Sequence, residues 1–227
     1  NLYVRLKTGN ASSWTKDKDH GTYLSSSKGN SNVLKVDKIW YQFPVGEKNT
    51  VFVGPLIENY YMHGTTPSIY KPVLKAFTLG GNAAAYGAST DTGAGWVYKA
   101  DNGFAISSNI VTKQKSSCAT SVLACDSKTS SNSYVGSGLF TDESKTSWAT
   151  QVGLTKDQYS VSAIANFKYN DWGDSYFSTA TGDDRNENSN NYGLRAWWRP
   201  LETGTPIPEV SLGYDYSTLE GYSINPS

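Results

Sequence analysis

Four pairs of alternating segments, each pair joined by a short turn and separated from the next by a long polar stretch, constrain this chain more than any other feature. The paired segments run from Ile39 to Val53, Ala94 to Val111, Trp148 to Phe167 and Leu194 to Tyr216. Turns lie near Glu47, Asp101, Lys156 and Thr203, whereas the connections between pairs are roughly twenty to forty residues long, far beyond ordinary loops. Those connections are rich in Ser, Asn, Asp, Gly and Thr. Short turns at one end of a meander and long loops at the other are the rhythm of a barrel that crosses a bilayer with strands.

Period-two alternation supports strands throughout, because successive side chains on a strand face opposite ways. Tyr159, Val161, Ala163, Ala165 and Phe167 form an apolar row, and Gln158, Ser160, Ser162, Asn166 and Lys168 form the opposite polar row, with Ile164 the exception. Trp148, Val152 and Leu154 oppose Ser147, Gln151 and Gly153. Tyr192, Leu194, Ala196 and Trp198 oppose Arg195, Trp197 and Arg199, and Val210, Leu212, Tyr214 and Tyr216 oppose Glu209, Ser211 and Asp215. Trp96, Tyr98, Phe104, Ile106 and Ile110 lie opposite Lys99, Ser107 and Asn109. At the start, Leu2, Val4 and Leu6 face away from Tyr3, Arg5 and Lys7. Only Val33 to Phe43 is ambiguous: one register turns Lys35 and Asp37 inward, the other Lys38 and Gln42, and a one-residue slip exchanges them.

No apolar run reaches the roughly twenty residues of a spanning helix. A barrel strand needs only about ten, every second one facing lipid, so the negative mean hydropathy is compatible with a membrane protein. Sixteen tyrosines and seven tryptophans suit the bilayer interface, where an apolar ring with a polar tip lies between tails and water. Twenty basic and twenty acidic residues give zero formal net charge, and no Lys or Arg block supplies the basic footprint that nucleic acid requires. About nine strands are countable, whereas closed single-chain bacterial barrels are usually even-stranded. The chain begins at Asn1 without a basic, apolar signal segment and ends on Asn225, Pro226 and Ser227 rather than a strand-closing aromatic. The expectation is therefore part of a larger barrel, with the signal peptide and further strands outside it.

Candidate chemistry is sparse. Cys118 and Cys125, the only cysteines, are expected to form a local disulfide in an oxidising compartment. His20 and His63 lack metal-ligand spacing, so no metal site is expected. Asp171, Asp174, Asp183, Asp184 and Glu187 form an acidic loop whose oxygens could collect a hard divalent cation, though such a loop is more often merely solvated. No phosphate cradle, nucleophile elbow or marked carboxylate pair occurs, so no catalytic residue and no cofactor is assigned. Residues 55–92 read either as a loop folded into the lumen, Pro72 opening a short helix and Glu58, Lys71 and Lys75 biasing ion passage at a constriction, or as a loop packed on the outer mouth or at a contact between copies.

The blocks GAGWVYKADNGFAISSNIV from Gly93, GSGLFTDESKTSWATQVGLTKDQYSVSAIANFKYND from Gly136 and NYGLRAWWRPLETGTPIPEVSLGYDY from Asn191 resemble cyanobacterial outer-membrane porins related to the carbohydrate-selective porin family. The resemblance runs from about Lys38 onward and rests on block order and strand style. It implies a water-filled antiparallel up-and-down transmembrane β-barrel of about 16 strands, of which this all-β chain, residues 1–227, is a portion. It also implies a homotrimer in a cyanobacterial, Gram-negative-type outer membrane, contacting outer-membrane lipid. Relatives often carry an N-terminal surface-layer homology module, which does not occur in this sequence.

The expected function is passive diffusion of small hydrophilic solutes, sugars or inorganic ions, with no enzymatic step. Arg5, Lys7, Lys99, Lys168, Arg195, Arg199, Glu209 and Asp215 are the candidate pore-lining residues. A secreted or surface β-sandwich binding glycans on Trp172, Tyr176, Trp197 and Trp198 is the alternative. A β-rich hydrolase ranks last.

Overall fold

A computed structural model describes residues 1–12, 28–67, 83–87, 89–114, 144–169, 188–201, 204 and 206–220. Nine strands form one sheet in sequence order, every neighbouring pair antiparallel. They are β1 (Leu2–Lys7), β2 (Lys35–Val45), β3 (Asn49–Glu58), β4 (Thr90–Lys99), β5 (Phe104–Gln114), β6 (Ser144–Thr155), β7 (Tyr159–Tyr169), β8 (Asn188–Trp198) and β9 (Val210–Glu220). The architecture is thus an all-β up-and-down meander. Among the described residues it is not a closed barrel, since β1 pairs only with β2 and β9 only with β8.

The turns joining β2 to β3, β4 to β5, β6 to β7 and β8 to β9 lie at one end of the meander, as alternate turns must. Contacts between them bind that rim together. Lys48 Nζ reaches Asp101 Oδ2 at 2.7 Å, Thr155 N–H donates to the Gly103 carbonyl at 2.9 Å, and Arg199 N–H donates to the Gln158 carbonyl at 2.8 Å. Gly103 has φ 87°, and an added Cβ would fall 2.1 Å from the Thr155 oxygen, so this turn position excludes a side chain on two grounds.

Register around β2 resolves through bulges. Arg5 pairs with Lys38 while Leu6 pairs with Val36, leaving Asp37 as the extra residue. A bulge reverses the facing pattern without breaking the pairing, so Lys35 and Asp37 point to the same face as Lys38, Trp40 and Gln42. The two alternative registers both occur, one on each side of the bulge.

β3 also irregularly passes Pro55, its register shifting between Gly54 and Ile57. A residue without a backbone donor is accommodated at such a break, and the strand continues to Glu58. The connection to β4 therefore spans 59–89 rather than 55–92. Its described parts are a 3-10 turn at Asn59–Met62, the segment to Pro67, and a one-turn helix, α1 (Ala83–Tyr86). No described helix is long and apolar enough to cross a membrane, which says nothing of crossing by strands.

Burial separates the two faces of the sheet in an unusual sense. The face carrying Ser107, Asn109, Ser147, Gln151, Ser160, Asn166, Asn191 and Arg195 is buried. The opposite face leaves its large apolar side chains exposed across the whole sheet, among them Leu2, Val53, Trp96, Trp148, Val161 at 48% and Leu212 at 68%. The 3-10 turn and α1 lie on the polar face. Beneath the turn, Met62 packs with Trp40, Phe52, Ile57, Val97 and Val111, and beneath α1, Ala85 and Tyr86 pack with Ala149 and Ile164. Ile164, the apolar exception in its polar row, is apolar because α1 covers it.

Candidate functional site

Three glycines on the polar face mark where the 59–89 connection lies. A Cβ on Gly95 would come within 2.8 Å of Met62 Sδ, one on Gly153 within 2.6 Å of Thr65 Cγ2, and one on Gly193 within 3.1 Å of Ala85 Cβ. Glycine inside a strand commonly records such a close approach. The described parts of the connection thus lie over β4, β6 and β8.

Side chains of the sheet hold this connection by its backbone. Ser107 Oγ accepts from Gly64 N–H at 3.2 Å, and the Gln151 amide takes both the N–H and the carbonyl of Thr65. Asn166 Nδ2 donates to the Ala84 carbonyl at 3.2 Å, and Asn109 Nδ2 to the Asn59 carbonyl at 3.3 Å. A chain of bonds continues along the wall from Asn191 Nδ2 to the Asn166 carbonyl, Ser147 Oγ to Asn166 Oδ1, and Ser89 Oγ to Ser147 Oγ. Ser89 N–H donates in turn to Asn59 Oδ1 at 3.1 Å. Irregular backbone laid against a sheet needs such partners, because an unpaired buried peptide group costs about 1–3 kcal/mol.

Within the connection, His63 is buried, its Nε2 2.7 Å from the Tyr86 carbonyl and its ring edge-on to the Tyr86 ring at 4.7 Å. Burial depresses its pKa to about 4, with the bond to the Tyr86 carbonyl opposing the shift. Burial likewise raises the Tyr86 phenol, with Arg195 opposing, and the Tyr60 phenol, where Glu58 adds to the rise. Tyr86 Oη donates to the Thr65 carbonyl at 2.8 Å, joining the two described ends of the connection.

Two groups of charged residues stand out on the polar face among the described residues. Toward β1, Asp37 accepts from Arg5 and pairs with Lys7, while Glu58 Oε2 lies 3.3 Å from Arg5 Nη2 and 3.4 Å from Lys38 Nζ. Tyr61 Oη accepts from Arg5, and Lys38 Nζ donates to Thr90 Oγ1 at 3.0 Å. Three cations meeting two carboxylates leave this group with one positive charge in excess. Toward β9, Arg195 Nη2 grips both carboxylate oxygens of Asp215, at 2.8 and 2.9 Å, with its guanidinium carbon 5.9 Å from the Tyr86 ring centre.

Arg5, Lys7, Lys99, Lys168, Arg195 and Asp215 therefore all lie on the polar face. Several depart from the expected role of accessible wall charges. Arg195, 3% exposed, is closed in its bidentate pair, and Lys168 is 4% exposed. Lys99 is exposed near the turn rim. Arg199 and Glu209 lie beyond the ends of β8 and β9, and Arg199 Nε donates to the Asp157 carbonyl at 2.7 Å, at the rim rather than midway along the wall. Glu58 belongs to the end of β3 instead of the loop. Lys71, Lys75, Pro72, His20, Cys118, Cys125, the acidic stretch from Asp171 to Glu187, Trp172 and Tyr176 lie outside the described residues.

Trp197 and Trp198 do not share a platform. Trp197 is buried on the polar face while Trp198 is exposed on the apolar one, as adjacent strand residues must be. The uncharged ladder Ser107, Asn109, Gln151, Asn166 and Asn191, with His63, was not assigned a role by sequence reasoning. Its signal was the coincidence of amide side chains with glycines on the same polar rows. No protein-family model, curated protein or solved structure matches the chain.

Proposed function

We propose that this chain forms the wall of an outer-membrane porin, in which small hydrophilic solutes or ions diffuse passively along the polar face and lipid covers the apolar one. The observation that carries the reading is the inverted sheet. A soluble sandwich buries the apolar face of each sheet against a second layer; here the described covering segments lie on the polar face, and every one of the nine strands still leaves large apolar side chains exposed on the opposite face. Each large apolar side chain kept from an apolar environment forgoes about 1.5–3 kcal/mol. Half a dozen such residues rival the about 5–15 kcal/mol that is the whole stability of a typical domain. A bilayer removes that penalty.

Strand parity limits how such a wall closes. β1 and β9 run in the same direction, so direct pairing would be parallel, unlike every other pair. Antiparallel closure takes an odd number of additional strands, which a barrel of about 16 satisfies and even-stranded barrels in general require. Within that lumen the segment 59–67 and α1 narrow the passage, and the excess positive charge at Arg5, Lys7 and Lys38 favours anions. Passage needs no cofactor and no bond-making step. A homotrimer in a cyanobacterial outer membrane belongs to the same proposal through the resemblance alone.

Detergent dependence and planar-bilayer conductance test the proposal together. The folded protein is expected to require detergent or lipid and to insert ion-conducting pores. Monodisperse protein in plain buffer, or folded protein that leaves bilayers unconducting, would overturn it.

A further inference from the structure

His63 joins three parts of the polar-face assembly at one ring. Nε2 faces the Tyr86 carbonyl at 2.7 Å, which can only accept, so Nε2 carries the proton. Nδ1 is then the acceptor, facing Asn109 Nδ2 at 3.4 Å, and the same amide nitrogen donates to the Asn59 carbonyl. The neutral ring thus ties α1 to the 3-10 turn and both to β5. A second proton, on Nδ1, would set donor against donor. Turning the Asn109 amide over relieves that clash only by placing its oxygen against the Asn59 carbonyl, so the protonated ring has no arrangement that keeps all three bonds.

Among the described residues, nothing packed around this ring compensates a charge on it. Of the elements packed around it, β5 presents the uncharged Asn109 and Ser107, and α1 presents the Tyr86 phenol. Arg195 lies over the Tyr86 ring and is neutralised by Asp215. The Glu58 carboxylate, at the end of β3, is engaged by Arg5 and Lys38.

We propose that His63 is an acid-sensitive latch: neutral, it holds the segment 59–67 and α1 together on the polar face, and protonated, it releases them while the sheet stays intact. As regulation of a pore the latch rests on the porin reading, but release itself does not. The sign follows from burial. With the ring's pKa held from 6.5 down to about 4 when docked, docking is undiminished above pH 6.5. It weakens as pH falls from 6.5 toward 4, and below that is weaker by on the order of a hundredfold.

Hydrogen exchange on the full chain in detergent, corrected for intrinsic rates, reads the latch directly. Gly64 and Thr65 amides, which donate to Ser107 and Gln151, are expected to lose protection on the order of a hundredfold between pH 6.5 and 3.5. The paired amides of β5 and β6 should keep theirs. His63→Gln preserves a donor toward Tyr86 without a titrating group and should remain protected throughout; equal loss in wild type and variant, or none in wild type, overturns the proposal. Nitrogen NMR of the wild-type ring gives a second test requiring no variant. A ring that protonates near pH 6.5 while Gly64 and Thr65 stay protected also overturns it. Conductance at pH 7 tests the porin reading separately, so release without channels would refute the pore and leave the latch standing.

Discussion

The side-chain amide of Gln151 brackets the backbone of Thr65, accepting from its N–H at 3.0 Å and donating to its carbonyl at 3.3 Å. This is the pairing that a neighbouring strand would supply, provided here by one residue of β6 to a segment with no strand beside it among the described residues. The clamp is specific to an amide, since a carboxylate cannot donate and an amine cannot accept.

Gln151→Ala removes both bonds and leaves the Thr65 N–H buried without a partner, while Tyr86 Oη still serves the carbonyl. Loss of about 1–3 kcal/mol is expected, measured as a lowered unfolding midpoint in lipid or detergent. Gln151→Glu, which buries an unpaired carboxylate against the Thr65 carbonyl, should lose more at neutral pH. A variant indistinguishable from wild type would mean that Thr65 does not rest on β6.

The strands were legible in the sequence because period-two patterning is a local property that every arm of the meander carries. Rows such as Leu2, Val4, Leu6 and Tyr192, Leu194, Ala196, Trp198 lie on the face that alternation assigned them. What alternation cannot carry is a change of phase, and the bulge at Asp37 is one. There, two charged neighbours share a face that strict alternation would have divided between them. The site was less legible for a different reason. Charge drew attention to Arg195 and Asp215 separately, whereas their pairing across β8 and β9 depends on a register that no single strand contains. The role of Asn109, Asn166 and Gln151 depends on what is laid over them, a contact that sequence separation conceals and that only Gly95, Gly153 and Gly193 hint at.

Adjacent residues on β9 give a test of the two faces. Leu212→Arg should impair assembly into lipid by about 2–4 kcal/mol if it lies near the midplane, and Ser211→Arg, on the polar face, should assemble with a smaller penalty. Ser160, on the polar face of β7, is a poorer comparison because it is buried and its hydroxyl lies 2.9 Å from Thr155 Oγ1. Folding equilibria in liposomes distinguish the two substitutions. Equal tolerance would remove lipid from the apolar face.

Arg195 and Asp215 should behave as a unit rather than as a source of selectivity. Arg195→Gln strands a buried carboxylate and is expected to destabilise by about 3–5 kcal/mol, whereas the double variant Arg195→Gln with Asp215→Asn should recover most of that. A double-mutant cycle on unfolding midpoints measures the coupling. In reconstituted channels the double variant should leave the reversal potential near wild type, since it removes one charge of each sign. Additive effects of the two single changes would show that the pair does not persist in lipid.

The Lys48 to Asp101 contact, 2.7 Å between exposed side chains of neighbouring turns, fixes which ends of the meander lie together. Its partner raises the pKa of Lys48 through a hydrogen bond and charge, but the pair is open to solvent, and Asp101→Asn should barely change stability. Its value is topological. Cysteines replacing Lys48 and Asp101 should be joined readily by a short bifunctional reagent. On intact cells both should resist a membrane-impermeant thiol label until the outer membrane is broken, because short turns of such barrels face the periplasm. Wild type, with Cys118 and Cys125 alone, supplies the background label. Efficient external labelling at the introduced positions would reverse the orientation of every strand at once, because the turns following β2, β4, β6 and β8 share one rim.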